Sequence, residues 1–536
     1  MQGSSTAKTL LVAASICAGI VTILASSCST RPTDLRTLVP LESLVYLETN
    51  DLAAALQPII ESKPFADAAA SKPDLSPLRG VQLAVAILGL QATEERLTDE
   101  SSVGSVKPIF VAVADTHSWN SAAVAFAENR LGGFVAGIYD SEPKLERSEK
   151  FGGRYFAWTA EDGRRAFALV IDSIIYFAND ETAIEKCLAV RRGESDSIIR
   201  SDKVRPAEAA TLARGYVSAD GVAQIANVVG LKYAAEASDD GEVRAAIASV
   251  LPQLIRNSIV DITWTSTRSG DGIEDRYIIT MPPDTANVLA ETLAPGPDID
   301  PSLADHILPD PASVTFYNFK DPQVAWRSVL LTAQKSSGTI GARILAELSS
   351  AVFEPYGVAD PEQFLRGVGP SIITQRWDGS DSEPIAIAAV RDAAEAAGSF
   401  SKATPLLQPG NSPNGDKIFH AEDDSFAYGL LADGKLICGD RSRLFDSISR
   451  PEKDTERKAR ELYAQAFGSK SPVVTFGRDN ETAAAVADML SAKRSEDVSA
   501  ISTYRTETRF SRAGIDRRTV SSLGLIGLII AQLSEQ

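Results

Sequence analysis

The chain has 536 residues, 44% hydrophobic and 23% charged, which puts it with globular proteins able to bury large cores and allows about three domains by length. Its 53 basic and 71 acidic residues give a formal net charge of −18, which repels phosphate backbones and argues against nucleic acid as a partner.

The first segment to read is a leader. One cation, Lys8, precedes the apolar run Leu10 to Ala25, and the small-residue stretch Ala25-Ser26-Ser27 leads to Cys28 and the polar breaker Arg31-Pro32. A core of about sixteen apolar residues is long for a cleaved signal and short of the roughly twenty that span a bilayer. An uncleaved anchor and an ordinary secreted protein therefore stand beside cleavage before Cys28. Ser15, Gly19 and Thr22 dilute the run and favour cleavage, which would remove only Lys8 and leave 52 basic against 71 acidic residues, a net −19. The stretch resembles a bacterial lipoprotein signal, which implies residues 1–27 as signal, lipidation at Cys28, and a location in the cell envelope facing the periplasm or the exterior.

After a linker over 28–37, the first domain is expected over 38–282. The runs Leu44 to Leu47, Ile109 to Val113, Ile174 to Phe177 and Arg214 to Val217 read as strands. They are followed by Asp51, Asp115, Asn179 with Asp180, and Asp220, each ahead of a helix-forming stretch. Hairpins are expected from Phe151 to Ile171 around Glu161-Asp162-Gly163, and from Ile259 to Thr280 around Ser269-Gly270-Asp271. A Pro-rich linker over 283–311 contains one apolar helix candidate, Ala286 to Leu293. The second domain, 312–536, repeats the strand-then-acid pattern at Asp321, Asp392, Asp440 and Asp479. A carboxylate there accepts bonds from unpaired amides of the first helical turn and suits the helix dipole. All eight acids are therefore assigned as structural helix caps.

The two halves also restate each other. Ala160-Glu161-Asp162 recurs as Ala421-Glu422-Asp423, and Leu78-Arg79-Gly80-Val81 as Leu365-Arg366-Gly367-Val368. Near the end of each half, Gly272-Ile273-Glu274-Asp275-Arg276 returns as Gly514-Ile515-Asp516-Arg517-Arg518. The expected fold class is α+β: two tandem related domains, each a mostly antiparallel or mixed sheet with helices covering one face, behind the N-terminal segment.

Catalytic patterns fail on physical grounds. Gly429 to Lys435 has the spacing of a phosphate-binding loop, but Leu436 stands where a hydroxyl must reach magnesium. Gly367-Val368-Gly369 lacks the third glycine of a dinucleotide fingerprint. His117, His306 and His420 share no motif spacing, and Cys187 and Cys438 lie in helical and strand-like patterns that suit buried thiols. Trp119, Trp158, Trp264 and Trp326 are expected to pack, and the apolar run Leu523 to Leu533 to dock onto the second domain. No catalytic, cofactor-binding or metal-binding residue is assigned.

Leu38-Val39-Pro40 through Asp51, Ser173 to Asp180 and the repeated layout resemble a broad family of envelope-anchored, lipoprotein-like bacterial proteins of unknown function with duplicated α+β domains. The resemblance implies location and fold and transfers no catalytic residue. The leading expectation is a non-enzymatic envelope lipoprotein that binds or scaffolds a protein or surface partner. The contrasting expectation is a carrier of a lipid or other apolar ligand, and a third is a hydrolase with residues gathered from loops.

Overall fold

The computed structural model of the chain describes residues 33–96, 102–139, 142–206, 208, 210–237, 241–270, 272–378, 384–400, 407–410, 416–422, 425–449, 459–490 and 501–534. Cys28 and the leader 1–27 lie outside the described residues. The protein is a mixture of helix and strand, 40% and 35%, built on extensive antiparallel sheet. Among the described residues, no helix is long and apolar enough to cross a membrane.

By contact density the described chain divides into two compact units. The first takes residues up to Leu41, Gly80–Ala84 and Val111–Arg200. Its sheet begins with residues 111–115, which pair with the Ile174–Ala178 strand; Arg165–Ile171, Gly153–Thr159 and Lys144–Lys150 follow in order, every pair antiparallel. Ile174–Ala178 is buried along its whole length because helices lie on both faces. On one face Trp158, Phe177 and Phe134 meet edge to face, Phe134 coming from the Gly132–Tyr139 helix. Successive strand residues point to opposite sides, so Tyr176 faces away from Phe177, toward the Glu181–Arg191 helix with its buried Ile184 and Leu188. The expected single covered face is therefore corrected to two.

The second unit comprises Glu42–Arg79, Val85–Phe110 and Ser201–Gln536. One antiparallel sheet runs through it. Val45–Thr49 pairs with Thr211–Val217, which pairs with Asp261–Ser269 and then with Gly272–Thr280. Gly272–Thr280 pairs with Gly514–Ser521, followed by Ser502–Ser511, Val473–Asp479 and Ser313–Asn318. Val368–Arg376, Ile385–Val390, Lys435–Asp440, Phe426–Leu430, Lys417–Ala421 and Leu407–Pro409 complete it. Here too the sheet has helices on both sides. Ile387 packs with Phe316, Leu444 and Tyr463, while its neighbours Ala386 and Ala388 pack on the opposite face with Phe364, Leu365 and Phe400.

Pairings recur in the same order along the chain. Val45–Thr49 leads on one side to Thr211–Val217, Asp261–Ser269 and Gly272–Thr280. Ser313–Asn318 leads likewise to Val473–Asp479, Ser502–Ser511 and Gly514–Ser521. Where the two series meet, Arg276 stands opposite Arg518, the residues that correspond in the repeated pentapeptides. The local ion pairs follow the same exchange: Arg276 grips Asp516 at 2.7 and 3.0 Å, and Arg518 reaches Glu274 at 3.2 Å.

Two helices cross this seam in opposite senses. Pro283–Thr292 buries Ala286 and Leu289 against Ala325, Phe510 and Ile515. Gly524–Ser534, which follows the last strand, packs on Ala483, Val486 and Ala487 of the second half, where the run was expected to dock, and in the same cluster reaches Leu56, Ile59, Phe65 and Ile273 of the first.

Candidate functional site

Six of the eight assigned caps hold the amides of a following helix. Asp51 accepts from Ala54 N at 3.0 Å, Asp180 from Thr182 N at 2.8 Å, and Asp440 from Arg443 N at 2.8 Å. Asp321 accepts from the amides of Gln323 and Val324, Asp392 from those of Ala394 and Glu395, and Asp479 from those of Glu481 and Thr482.

The other two differ. In the Ala219–Ala237 helix the hydroxyl of Ser218 accepts from Gly221 N, and Asp220 is already inside the first turn, where only its charge suits the dipole. Asp115 does not precede its helix directly, since Asn120–Phe126 begins after a turn through His117, whose φ is 48°. Its carboxylate, 2% exposed, accepts from His117 N and from the Thr33 hydroxyl. The His117 ring stands 3.4 Å from Asp115 through Nδ1 and 3.0 Å from Gln82 Oε1 through Nε2. With Nε2 on Gln82 and Nδ1 beside Asp115, this histidine closes a turn.

The remaining tempting residues also have structural surroundings. Gly429 to Lys435 is a hairpin turn with Lys435 paired to Asp433 at 2.7 Å. Cys187 and Cys438 are buried in separate elements, and burial pushes the Cys438 thiol well up. Among the described residues, no group of three or more His, Cys, Asp or Glu is placed to hold a metal ion. Trp158 and Trp264 pack as expected, but Trp119 is 80% exposed.

A different place in the second unit has the shape of a binding site. Alternation puts Asp275, Tyr277 and Ile279 on one face of their strand, directly opposite Thr519, Arg517 and Ile515. Asp275, 1% exposed, receives Trp264 Nε1 at 2.9 Å and Leu525 N at 2.8 Å, so one carboxyl ties the central sheet to the start of the terminal helix. Burial holds that carboxyl above the usual carboxylate range. Gly524 makes the approach possible: at φ 63°, a Cβ there would lie 2.8 Å from Ile273 Cγ2.

Beside this tie lies a cavity of about 400 Å³. Four cross-strand rows form its floor: Ile262 with Ile279, Tyr277 with Arg517, Thr506 with Thr519, and Tyr504 with Ser521. Leu523 and Leu528 wall it, and Asp479 and Thr482 stand at its end. Tyr504 lies over Gly477, where a Cβ would come within 2.2 Å of the ring. Burial, aided by the Asp275 charge, raises the Tyr277 hydroxyl pKa, so Tyr277 offers a neutral O–H. Asp479 is occupied by helix amides and the Thr482 hydroxyl. Among the described residues, the side chain of Arg517 has no ion-pair or hydrogen-bond partner, its backbone being held in the ladders with Tyr277 and Thr508.

Sequence reasoning missed this site because its rows combine two hairpins, Asp261–Thr280 and Ser502–Ser521, that are distant along the chain. The repeated Gly-Ile pentapeptides, with acids and arginines placed to complement each other only when antiparallel, were the available signal. The chain matches no protein-family model, no curated protein and no solved structure.

Proposed function

We propose that this protein is a non-enzymatic lipoprotein of the cell envelope, tethered through Cys28, whose body is a tandem duplication and which binds an apolar ligand at the seam of its halves. The duplication is supported by the repeated pairing order, by Arg276 facing its counterpart Arg518, and by the reciprocal crossing of the Pro283–Thr292 and Gly524–Ser534 helices. The observation that carries the binding reading is the seam cavity, with apolar walls, a hydroxyl-bearing floor and a volume within the roughly 300–1,000 Å³ usual for small-ligand sites.

Solvent extraction and mass spectrometry of the full chain purified from native membranes test this reading. An apolar compound near one per chain is the expected result, and ligand-free protein of full stability would refute it. The tether is tested by Cys28→Ala, which should release the protein from the membrane fraction and abolish incorporation of labelled acyl chains.

A second reading, a scaffold for a protein partner, is favoured by one observation in the first unit. The turn joining Lys144–Lys150 to Gly153–Thr159 is Phe151-Gly152, with φ 53° and 79°, a geometry that prefers Asn-Gly. A phenylalanine held there with its ring 42% exposed, in a unit that also exposes Trp119, incurs strain without gaining burial. Crosslinking in native membranes, lost on Phe151→Asn and Trp119→Ser with the fold intact, would favour this reading.

A further inference from the structure

We infer that the seam cavity takes a single-chain amphiphile with one anionic headgroup, and that Arg517 recognises the head. The inference rests on the ligand-binding reading above and names its chemical class. At roughly 30 Å³ per water-sized group, a cavity of about 400 Å³ accommodates about a dozen such groups. That suits one acyl chain of moderate length.

The order of the floor gives the ligand a direction. The row Ile262–Ile279 is apolar, and the next row places Arg517 opposite Tyr277. Beyond it, Thr506 and Thr519 bond to each other through their hydroxyls at 3.0 Å. An apolar chain lying along Ile262, Ile279 and Leu528 would therefore bring its head to the guanidinium.

Charge complementarity selects the sign of that head. Arg517 is the one cation in the cavity lining, and the single acid there, Asp479, spends its hydrogen bonds on two amides and a hydroxyl and makes no ion pair with it. In a protein of net charge −18, a cation left without a partner beside an apolar wall attracts an anion locally that the molecule as a whole repels.

The entrance fits the same ligand. Leu528 lines the cavity yet is 45% exposed, and Ile529 and Leu533 of the same helix are also exposed. A helix apolar on its outer side as well as its docked side provides a greasy lip over which a chain can pass.

Titration calorimetry with the full chain tests the assignment, using dodecanoate, a lysophosphatidic acid of equal chain length, dodecanol and dodecylamine, all below micelle formation. Both anions are expected to bind, with dodecanol and dodecylamine weaker by about 10- to 100-fold; a marked preference between the two anions would identify carboxylate or phosphate as the natural head. Arg517→Gln should erase the preference for anions, Arg517→Lys should keep most of it, and Leu528→Asn should weaken every probe. Arg517 is exposed, so unchanged unfolding midpoints are expected to show these variants folded. Equal binding of dodecanol and dodecanoate, or wild-type affinity in Arg517→Gln, would overturn the headgroup assignment and leave the cavity reading standing. Binding of none of the four would overturn both.

Discussion

Replacing Asp275 by Ala tests the tie between the terminal helix and the central sheet. The carboxyl is 1% exposed and the Trp264 ring 5%, so neither the indole N–H nor the Leu525 amide has water to turn to once the acceptor is gone. A buried donor left unpaired costs about 1–3 kcal/mol, which gives about 2–6 for the two. Removing a carboxyl that burial already disfavours in its charged form offsets part of this, and about 2–4 kcal/mol is the expected net loss. Denaturant unfolding at constant slope reads that loss, and hydrogen exchange should show earlier opening of the amides of Gly524–Ser534 than of the strands beneath.

The pH dependence of the same variant has a definite sign. The folded pKa of Asp275 is raised, so its contribution to stability is complete below the unfolded value near ~3.9 and is lost as pH rises through the folded value. The difference between wild type and Asp275→Ala should be widest in acid and narrow toward neutral pH. A loss under about 0.5 kcal/mol, the scale of an ordinary surface change, with unaltered exchange would refute the reasoning.

Other perturbations bear on the same architecture. Asp51→Ala, Asp321→Ala and Asp392→Ala should each cost about 0.5–2 kcal/mol, whereas Asp220→Ala should stay within about 0.5 because Ser218 does the capping, as thermal unfolding will show. Gly514→Ala should cost about 2–4 kcal/mol, since φ there is 132° and a Cβ would lie 2.0 Å from Ile279 O; circular dichroism during denaturation measures it. A double-mutant cycle on Arg276 and Asp516 should give a coupling of about 0.2–1 kcal/mol that fades with salt. The Arg276 guanidinium holds the Asp516 carboxyl below its usual range. That stabilisation is present above ~3.9 and lost as pH falls through the depressed folded value, and Asp516→Asn should flatten this acid limb.

What the sequence revealed followed from local physics. The hairpin strand expected at Gly272 to Thr280 forms over those residues, and the apolar run from Ile174 forms the buried strand Ile174–Ala178, because alternation and continuous hydrophobicity report burial directly. Caps were legible at six positions for the same reason: an aspartate and the amides it serves are two or three residues apart. Asp220 was misread because Ser218 is equally suited to the role, and the backbone path decided between them. The Lys144–Lys150 strand carried no signal, since its sequence KLERSEK has one apolar residue, Leu145, and is otherwise polar, as suits an exposed edge. Phe151 was read as strand and lies in a turn, where its left-handed conformation departs from what its residue type prefers. The cavity was the least legible feature. Its floor depends on which strands pair across the seam, and nothing short-range in Gly272–Thr280 names Gly514–Ser521 as its neighbour.

That seam also explains why the two halves would stay together. Without each other, Gly272–Thr280 and Gly514–Ser521 would each be a sheet edge with a row of unpaired amides and carbonyls, open to any other strand. Pairing them removes both edges at once, and the complementary acids and arginines fix the register at Arg276 and Arg518. The terminal helix adds a second constraint, because it packs at once on Ala483, Val486 and Ala487 of its own half and on Ile59, Ile273 and Asp275 of the other. On the proposed duplication, residues 297–536 expressed alone keep Ile299, Leu303, Ala304 and Ile307 in their core and can pair Gly514–Ser521 with a second copy about the same axis, with Arg518 facing Arg518 and Asp516 meeting Arg518. Light scattering should find a dimer whose dissociation is promoted by salt and by Asp516→Lys. A stable monomer with a protected Gly514–Ser521 edge would mean that the resemblance of the halves ends at their strand order.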